Sequence, residues 1–343
     1  MNQNWQHYLK PLVDLTQEHF SHPVDFENNP CMIPLTQIGF ILVAGPDAQT
    51  FLQGQLTCQF SQQDDHQVKL GAHCTPKGKI QNLYRIVPGN LMTSSEEPAY
   101  LLMCHQSLLS SGFAQLKKYA LFSKVTLTDV SETVAAFSLY GDLNIGKLGL
   151  PDLEKLTCTS LSSEKSALMA RLRSHKSRMM IIASTESAIS LWESFASQFM
   201  ILPPVLWDLL EIRSGIPCLY PQTQGFFFPH YLNLPTLEAV SFEKGCYIGQ
   251  EVIARMQFRG KVKKHMHRFM IPSNENNPNP GDEVISVHEN NRAPVGTIVR
   301  AAPTTGGFFE LLVVMDDEAQ NDHNLRLSSI QGPILQHLTL DFA

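Results

Sequence analysis

The eight residues Lys244-Gly-Cys-Tyr-Ile-Gly-Gln-Glu251 set two glycines, a thiol, an amine and a carboxylate around one aromatic ring. A strand or helix interior is not built from that mixture. Glycine stands where a backbone must turn sharply or lie close to something, so Gly245 and Gly249 impose an irregular loop. The helix formers Glu251-Val-Ile-Ala-Arg255 follow, and the loop is expected to feed a helix N-terminus. Converging backbone N–H groups in such a loop suit an anion. The positive end of a helix, or a nearby ammonium, lowers the pKa of a thiol. Cys246 is therefore a candidate nucleophile or metal-ligating thiolate at the lip of a pocket, with Lys244 favouring its ionised form. The alternative is a turn that packs one short side chain, since a lone cysteine is commonly a small buried hydrophobe.

The frame around this loop is bounded by length and composition. A chain of 343 residues suits two or three domains rather than one core. Hydrophobic residues make up 43% and charged residues 17%, an ordinary globular balance. Apolar runs all stop short of the roughly 18–20 residues that span a bilayer. The N-terminus Met1-Asn-Gln-Asn-Trp5 has neither the basic nor the apolar region of a secretory signal. The 7 cysteines are odd in number and form no CxxC. That argues against a disulfide framework, a structural zinc and a self-contained iron–sulfur site, and a reducing cytoplasm is the expected setting. A net charge of −6 is no general match for nucleic acid.

Periodicity gives the elements. Residues 1–30 carry Pro11, Pro23 and Pro30 and read as a short helix with an irregular lead-in. Strands are expected at Ile38–Val43, Val68–Cys74, Ile80–Val87, Ala99–Cys104, Val125–Val130, Val134–Tyr140 and Ser177–Ala183. Asp47 is a plausible N-cap for a short helix through Phe51 and Leu52. Helices are expected over Leu108–Tyr119, Ser187–Met200 and Val205–Arg213, the last opened by Pro203-Pro204. Leu143–Glu164 lacks clear periodicity. From Lys261 onward, short strands near 262–271, 283–288, 295–301, 308–315 and 334–341 are separated by Pro, Gly and Asn, the pattern of a small all-β unit, most simply a barrel. Asn274–Asp282 is a loop by composition.

Three further stretches bear on chemistry. Arg255, Arg259, Lys261, Lys263, Lys264 and Arg268 form a basic run with His265 and His267 and no acid. Such a run is ordinarily a solvated face. It also suits the carboxylates of a ligand, RNA phosphates or a domain seam. The two histidines share one strand face but lack further obvious metal ligands. Lys77-Gly78-Lys79 is a basic hairpin turn. Phe226-Phe227-Phe228 reads as core or pocket wall, and its rings could stack on a flat heteroaromatic.

The octapeptide resembles the signature of the YgfZ group, folate-binding proteins related to the aminomethyltransferase (T-protein) of the glycine cleavage system. Phe51-Leu-Gln-Gly-Gln55-Leu-Thr57, Thr75-Pro-Lys77-Gly-Lys-Ile80, Gly215-Ile-Pro217 with Phe228-Pro229 and Asn233, and Phe258-Arg259-Gly260 are similar to its other segments, in the same order. The resemblance implies an α+β, GcvT-like aminomethyltransferase fold. Two α+β (ferredoxin-like) units, 1–124 and 125–258, would surround a central pocket, and a C-terminal β-barrel, 259–343, would close it. It implies a tetrahydrofolate-binding accessory protein in iron–sulfur cluster assembly or repair, in the cytoplasm, with iron–sulfur proteins as transient partners. tRNA modification would be supported indirectly. Cys246 and Lys244 would carry the chemistry. Lys77, Gln55, Arg213, Phe228, Tyr247, Gln250, Glu251, Arg255 and Arg259 would frame the folate.

The chain departs from the transferase at two points. Where the transferase needs an aspartate after its glycine turn, Gln81 and Asn82 stand. Its Arg-Leu-Glu-Ala-Gly stretch reads Glu211-Ile-Arg213-Ser-Gly215, so Arg213 replaces the glutamate. Both changes argue against glycine-cleavage chemistry. A folate-dependent one-carbon transferase and a tRNA-binding module using residues 255–268 stand as alternatives.

Overall fold

A computed structural model describes residues 2–20, 25–61, 66–92, 97–161, 165–273, 277–288, 291–304, 306–340 and 342. Pro23, Glu164 and the first three residues of the expected Asn274–Asp282 loop lie outside them. In chain order the elements are α1 (Gln3–Phe20), β1 (Cys31–Pro34), β2 (Ile38–Ala44), α2 (Ala48–Gln55), β3 (Lys69–Cys74), β4 (Ile80–Pro88), β5 (Ala99–His105), α3 (Leu109–Tyr119), β6 (Thr126–Asp129) and β7 (Val134–Gly141). Then come β8 (Cys158–Ser160), β9 (Ala167–Arg171), β10 (Ser177–Ser184), α4 (Thr185–Ala196), β11 (Met200–Ile201), α5 (Val205–Arg213) and α6 (Gln250–Phe258). The C-terminal strands are β12 (Lys264–Pro272), β13 (Glu283–His288), β14 (Asn291–Pro303), β15 (Phe308–Asp316), β16 (Leu325–Leu327) and β17 (Gln336–Leu338).

Three sheets result, with strand orders β3-β4-β5-β2-β6, β11-β1-β7-β10-β9-β8 and β16-β13-β14-β15-β12-β17. The first two face each other across a shared core that includes Leu101, Met103, Met180 and Ile182. Helices α2 and α3 cover the outer face of the first sheet through Phe51, Leu52 and Leu116. Helices α1 and α4 cover the outer face of the second, where Trp5, Phe137 and Trp192 interlock with ring centroids 5.4 to 6.4 Å apart. Strands covered on both faces carry near-continuous apolar runs, which is why β7 and β10 were legible as strands without strict alternation. The fold is the α+β arrangement the sequence implies. The third sheet curls into the expected C-terminal barrel-like unit, a half-barrel whose last segment pairs with β12 through residues 336–338 and bridges β16 through Ile334.

Between the two α+β sheets runs α5. Leu206, Trp207, Leu209, Leu210, Glu211 and Ile212 are all buried, as in a helix surrounded by protein on every side. An acid in such a helix needs partners. Glu211 takes one arginine from each sheet: Arg85 of β4 at 3.0 Å, Arg178 of β10 at 2.8 Å and Arg300 of β14 at 3.5 Å. Burial alone raises the Glu211 pKa, but the three guanidiniums overcome it and hold the carboxyl near 2. One carboxylate therefore ties all three layers together.

Several expectations are revised. Helix α1 continues through Pro11 to Phe20, instead of ending early. Buried Trp5 and Leu9 dock its first turns, and that packing outweighs the hydrogen bond the proline removes. Asp47 does precede α2, but its Oδ2 accepts from the Lys124 backbone N–H at 2.7 Å rather than capping the helix. The aperiodic stretch 143–164 contributes β8, and β1, β9, β11 and β16 are strands the pattern does not announce. They run from two to five residues, too short to show a period. Strand β1 joins the second sheet and β6 the first, so the sheets interleave across residue 124.

Candidate functional site

The octapeptide is held in place by two stretches that stand out in the sequence, 54–58 and 75–79, the second backed by residues 225–228. The Ile248 N–H donates to the Gly54 carbonyl at 3.3 Å. The Lys244 ammonium, buried within the protein, donates to the carbonyls of Leu56 at 2.6 Å and Cys58 at 2.7 Å. Gly249, at φ +86, lies against the 75–79 turn: a Cβ there would meet the Thr75 carbonyl oxygen at 2.6 Å and the Gly78 Cα at 3.1 Å. Gly78 itself, at φ +75, packs on Val252 of α6. Residues 225–228 run alongside, with the Ile80 N–H donating to Phe227 O at 3.0 Å and Lys79 Nζ to Phe226 O at 2.8 Å.

On this scaffold Cys246 is exposed; five of the seven cysteines are buried and Cys218 is half-buried. Gly249 is the residue immediately before α6, so the loop enters a helix N-terminus as expected. Lys244, by contrast, serves the loop's anchorage. Its ammonium lies 4.9 Å from the Tyr247 ring centroid, and burial lowers its pKa to about 8, opposed by the Cys58 thiol. Tyr247 is buried with no partner for its hydroxyl among the described residues, and burial raises its pKa. Gln250 Nε2 donates to Lys244 O at 3.4 Å. Gln55 is buried at the end of α2, its Oε1 unpartnered among the described residues.

The octapeptide begins at the rim of the main cavity. That cavity has a volume of about 760 Å³ and is walled by Leu70, Leu172, Val240 and Phe242, with Lys69, Arg85, Lys155 and Arg173 as cations. Ser241, Phe242 and Glu243 line it directly before Lys244. The volume lies within the range of small-molecule sites, about 300–1,000 Å³.

The residues expected to frame a ligand are distributed differently. Cys246, Lys244, Tyr247, Gln250 and Gln55 cluster at the loop, with exposed Lys77 on the neighbouring turn. Phe228 is covered by Lys79 Nζ, 3.7 Å from its ring centroid. Glu251 and Arg255 are exposed and pair with each other at 2.7 Å. Arg259 is exposed at the end of α6. Arg213 points to the far side of α5, bonding Glu27 and, at 2.9 Å, Glu310 of β15; it braces the C-terminal sheet. Among the described residues none of these eleven side chains lines the main cavity.

The second part of the basic run, from Lys264 to Arg268, is neutralised by β15 and the residue after it. Lys264 pairs with Asp316 at 3.3 Å and Arg268 with Glu310 at 2.7 Å. His265 and His267 share Asp317 at 2.8 and 3.2 Å. Exposed Arg259, Lys261 and Lys263 have no ion-pair partner among the described residues, and Phe258 beside them is 71% exposed. No group of three or more His, Cys, Asp or Glu side chains among the described residues could hold a metal ion. No described helix is long and apolar enough to cross a membrane.

Sequence reasoning overlooked Arg85 and Arg173, the cavity's own guanidiniums. For Arg85 a signal existed. It is a lone charge inside the apolar run Ile80–Val87, as Arg178 is in Ser177–Ala183, while Glu211 shares the otherwise apolar Val205–Ile212 with Asp208. A charge in a buried element demands a partner.

No family model matches the chain. An uncharacterized protein of Haemophilus influenzae is 35% identical over 296 residues, covering 86% of this chain and 92% of that protein. A protein of Colwellia psychrerythraea named tRNA-modifying protein YgfZ is 31% identical over 262 residues, covering 74% of this chain and 75% of that one. Among solved structures, aminomethyltransferase T of the glycine cleavage system from Bartonella henselae superposes with a TM-score of 0.73 at 16% identity, over 96% of this chain and 89% of that one. That likeness is one of fold: three sheets and a central helix form a GcvT-like frame. With these relatives and this frame, the chain belongs to the YgfZ family.

Proposed function

We propose that the chain is a tetrahydrofolate-binding accessory protein for iron–sulfur cluster assembly or repair, supporting tRNA modification through iron–sulfur clients in the cytoplasm. The observation that carries this reading is the exposed Cys246 on a loop anchored at the rim of a ligand-sized cavity. An accessible sulfur can ligate iron, and one sulfur cannot hold a cluster by itself. The role that fits Cys246 is therefore transient, shared with ligands on a partner.

The cavity residues suit a folate. Phe242 and the aliphatic wall offer a face to a flat ring, and Arg85 and Arg173 offer forked donors to carboxylates. Bound tetrahydrofolate would supply one-carbon carrying capacity. This chain's contribution would be to bind and orient it. The positions that match the transferase's acidic residues supply no base for proton abstraction at the folate. Gln81 and Asn82 are amides. Glu211 is locked among three arginines.

The test replaces Cys246 with Ala and assays iron–sulfur enzyme activity in cells lacking the native protein, beside calorimetry of both proteins with tetrahydrofolate. The expected result is lost rescue with unchanged folate affinity. Full rescue would remove the thiol from the mechanism, and absence of folate binding would remove the cavity from it. Direct tRNA contact is a second reading, favoured by Arg259, Lys261 and Lys263 beside exposed Phe258 and by relatives named as tRNA-modifying. It predicts tRNA retention that falls steeply with salt. No retention at low salt would dismiss it.

A further inference from the structure

We propose that the floor of the main cavity is an anion subsite centred on Arg85, which takes a carboxylate or phosphate of the bound ligand. Only the ligand's identity rests on the folate reading above; the subsite follows from the charges.

Arg85 reaches the cavity from β4 and also lines a smaller cavity beside Trp207 and Glu211. Its Nη2 donates to both Glu211 oxygens at 3.0 Å. Among the described residues its Nε and Nη1 have no partner, and its side chain is 13% exposed. Its planar fork is thus half-used, on a side chain that lines the cavity.

The charges behind it do not balance. Arg85, Arg178 and Arg300 face two carboxylates, Glu211 and Asp208. Arg178 is fully buried over the Trp207 ring, and burial pulls its pKa down to about 10. A buried excess of positive charge is costly and is relieved by an added anion. The carboxylates that line the same cavity, Glu154, Glu238 and Glu243, are exposed at its mouth, and Glu238 is engaged by Arg173 at 3.0 Å. Exposed Lys155 lies beside Glu154, so the mouth carries both signs, while Arg85 is the cavity cation with the unbalanced arginine cluster behind it.

The experiment uses the full chain, wild type and Arg85→Gln, with three probes: inorganic phosphate, tetrahydrofolate, and tetrahydropterin, which has the ring but no carboxylates. Calorimetry should show phosphate and tetrahydrofolate binding weakened about tenfold or more in R85Q, the loss of one charge-assisted pair. Tetrahydropterin should bind both proteins alike. On the wild type, phosphate should compete with tetrahydrofolate; that arm decides the matter even if R85Q does not fold. Independent binding of the two, unchanged affinities in R85Q, or wild type that binds neither anion overturns the subsite. Arg85-dependent phosphate binding without any tetrahydrofolate binding would sustain the subsite while refuting the folate reading.

Discussion

The two glycines of the octapeptide look alike in the sequence and should respond oppositely to the same substitution. Gly249 sits at φ +86, and a Cβ there would lie 2.6 Å from the Thr75 carbonyl oxygen. Alanine in left-handed backbone costs about 1–2 kcal/mol. Forcing the 75–79 turn away from the loop adds about 1–3 kcal/mol of overpacking. Reduced freedom of the unfolded chain offsets roughly 0.4–1 kcal/mol. Gly249→Ala should therefore destabilise by about 1–4.5 kcal/mol. At Gly245 a Cβ meets nothing within 4 Å and φ is not positive, so Gly245→Ala keeps only the offset and should be neutral or stabilising by up to about 1 kcal/mol. Urea unfolding at pH 7 measures both, with the midpoint shifting at constant slope. Equal losses for the two variants, or a Gly249→Ala loss below about 1 kcal/mol, would refute the docking of the turn against the loop as the reason for that glycine.

Two buried charges give pH-dependent outcomes. Lys244 has a folded pKa of about 8 against an ordinary 10.5, so between those values the unfolded chain holds a proton the folded one lacks. Stability should rise with pH across that window by up to about 3 kcal/mol. Lys244→Met should flatten the rise, and urea midpoints at pH 7.5 and 10 that move in parallel for both proteins would contradict this assignment. Glu211, held near 2 against an ordinary 4.5, contributes stability that is full above 4.5 and lost as pH falls through 2. Glu211→Gln leaves three guanidiniums facing one fewer carboxylate and should cost about 3–5 kcal/mol at pH 7. A variant as stable as wild type in urea would mean the three-layer tie is dispensable.

What the sequence made legible was whatever depends on near neighbours. Pro203-Pro204 and the apolar run behind it marked α5, and the glycines of the octapeptide marked a loop that turns into α6. The turn at 75–79 was visible from Lys77-Gly78-Lys79. Which of these touch was not visible, because contact between Gly249 and Thr75, or between Lys244 and Leu56, is a property of the whole chain. That is why Lys244, three-dimensionally a latch for residues 56–58, reads in the sequence as the neighbour that favours the Cys246 thiolate. It is also why Arg213, which pairs with Glu310 of the C-terminal sheet, reads in the sequence as a residue framing folate.

The partial exception is charge inside apolar elements. Arg85, Arg178 and Glu211 each interrupt a run that is otherwise buried, and Arg300 does so at the end of such a run. Burial without a partner is too costly to persist, so these residues had to find one another even though no local pattern says how. The same reasoning separates scaffold from chemistry at the loop. Its position rests on the Lys244 donors and on the bare Cα of Gly249, while the Cys246 side chain is exposed. Removing that sulfur should leave the frame standing, so a loss of cellular function in Cys246→Ala would report on the thiol itself.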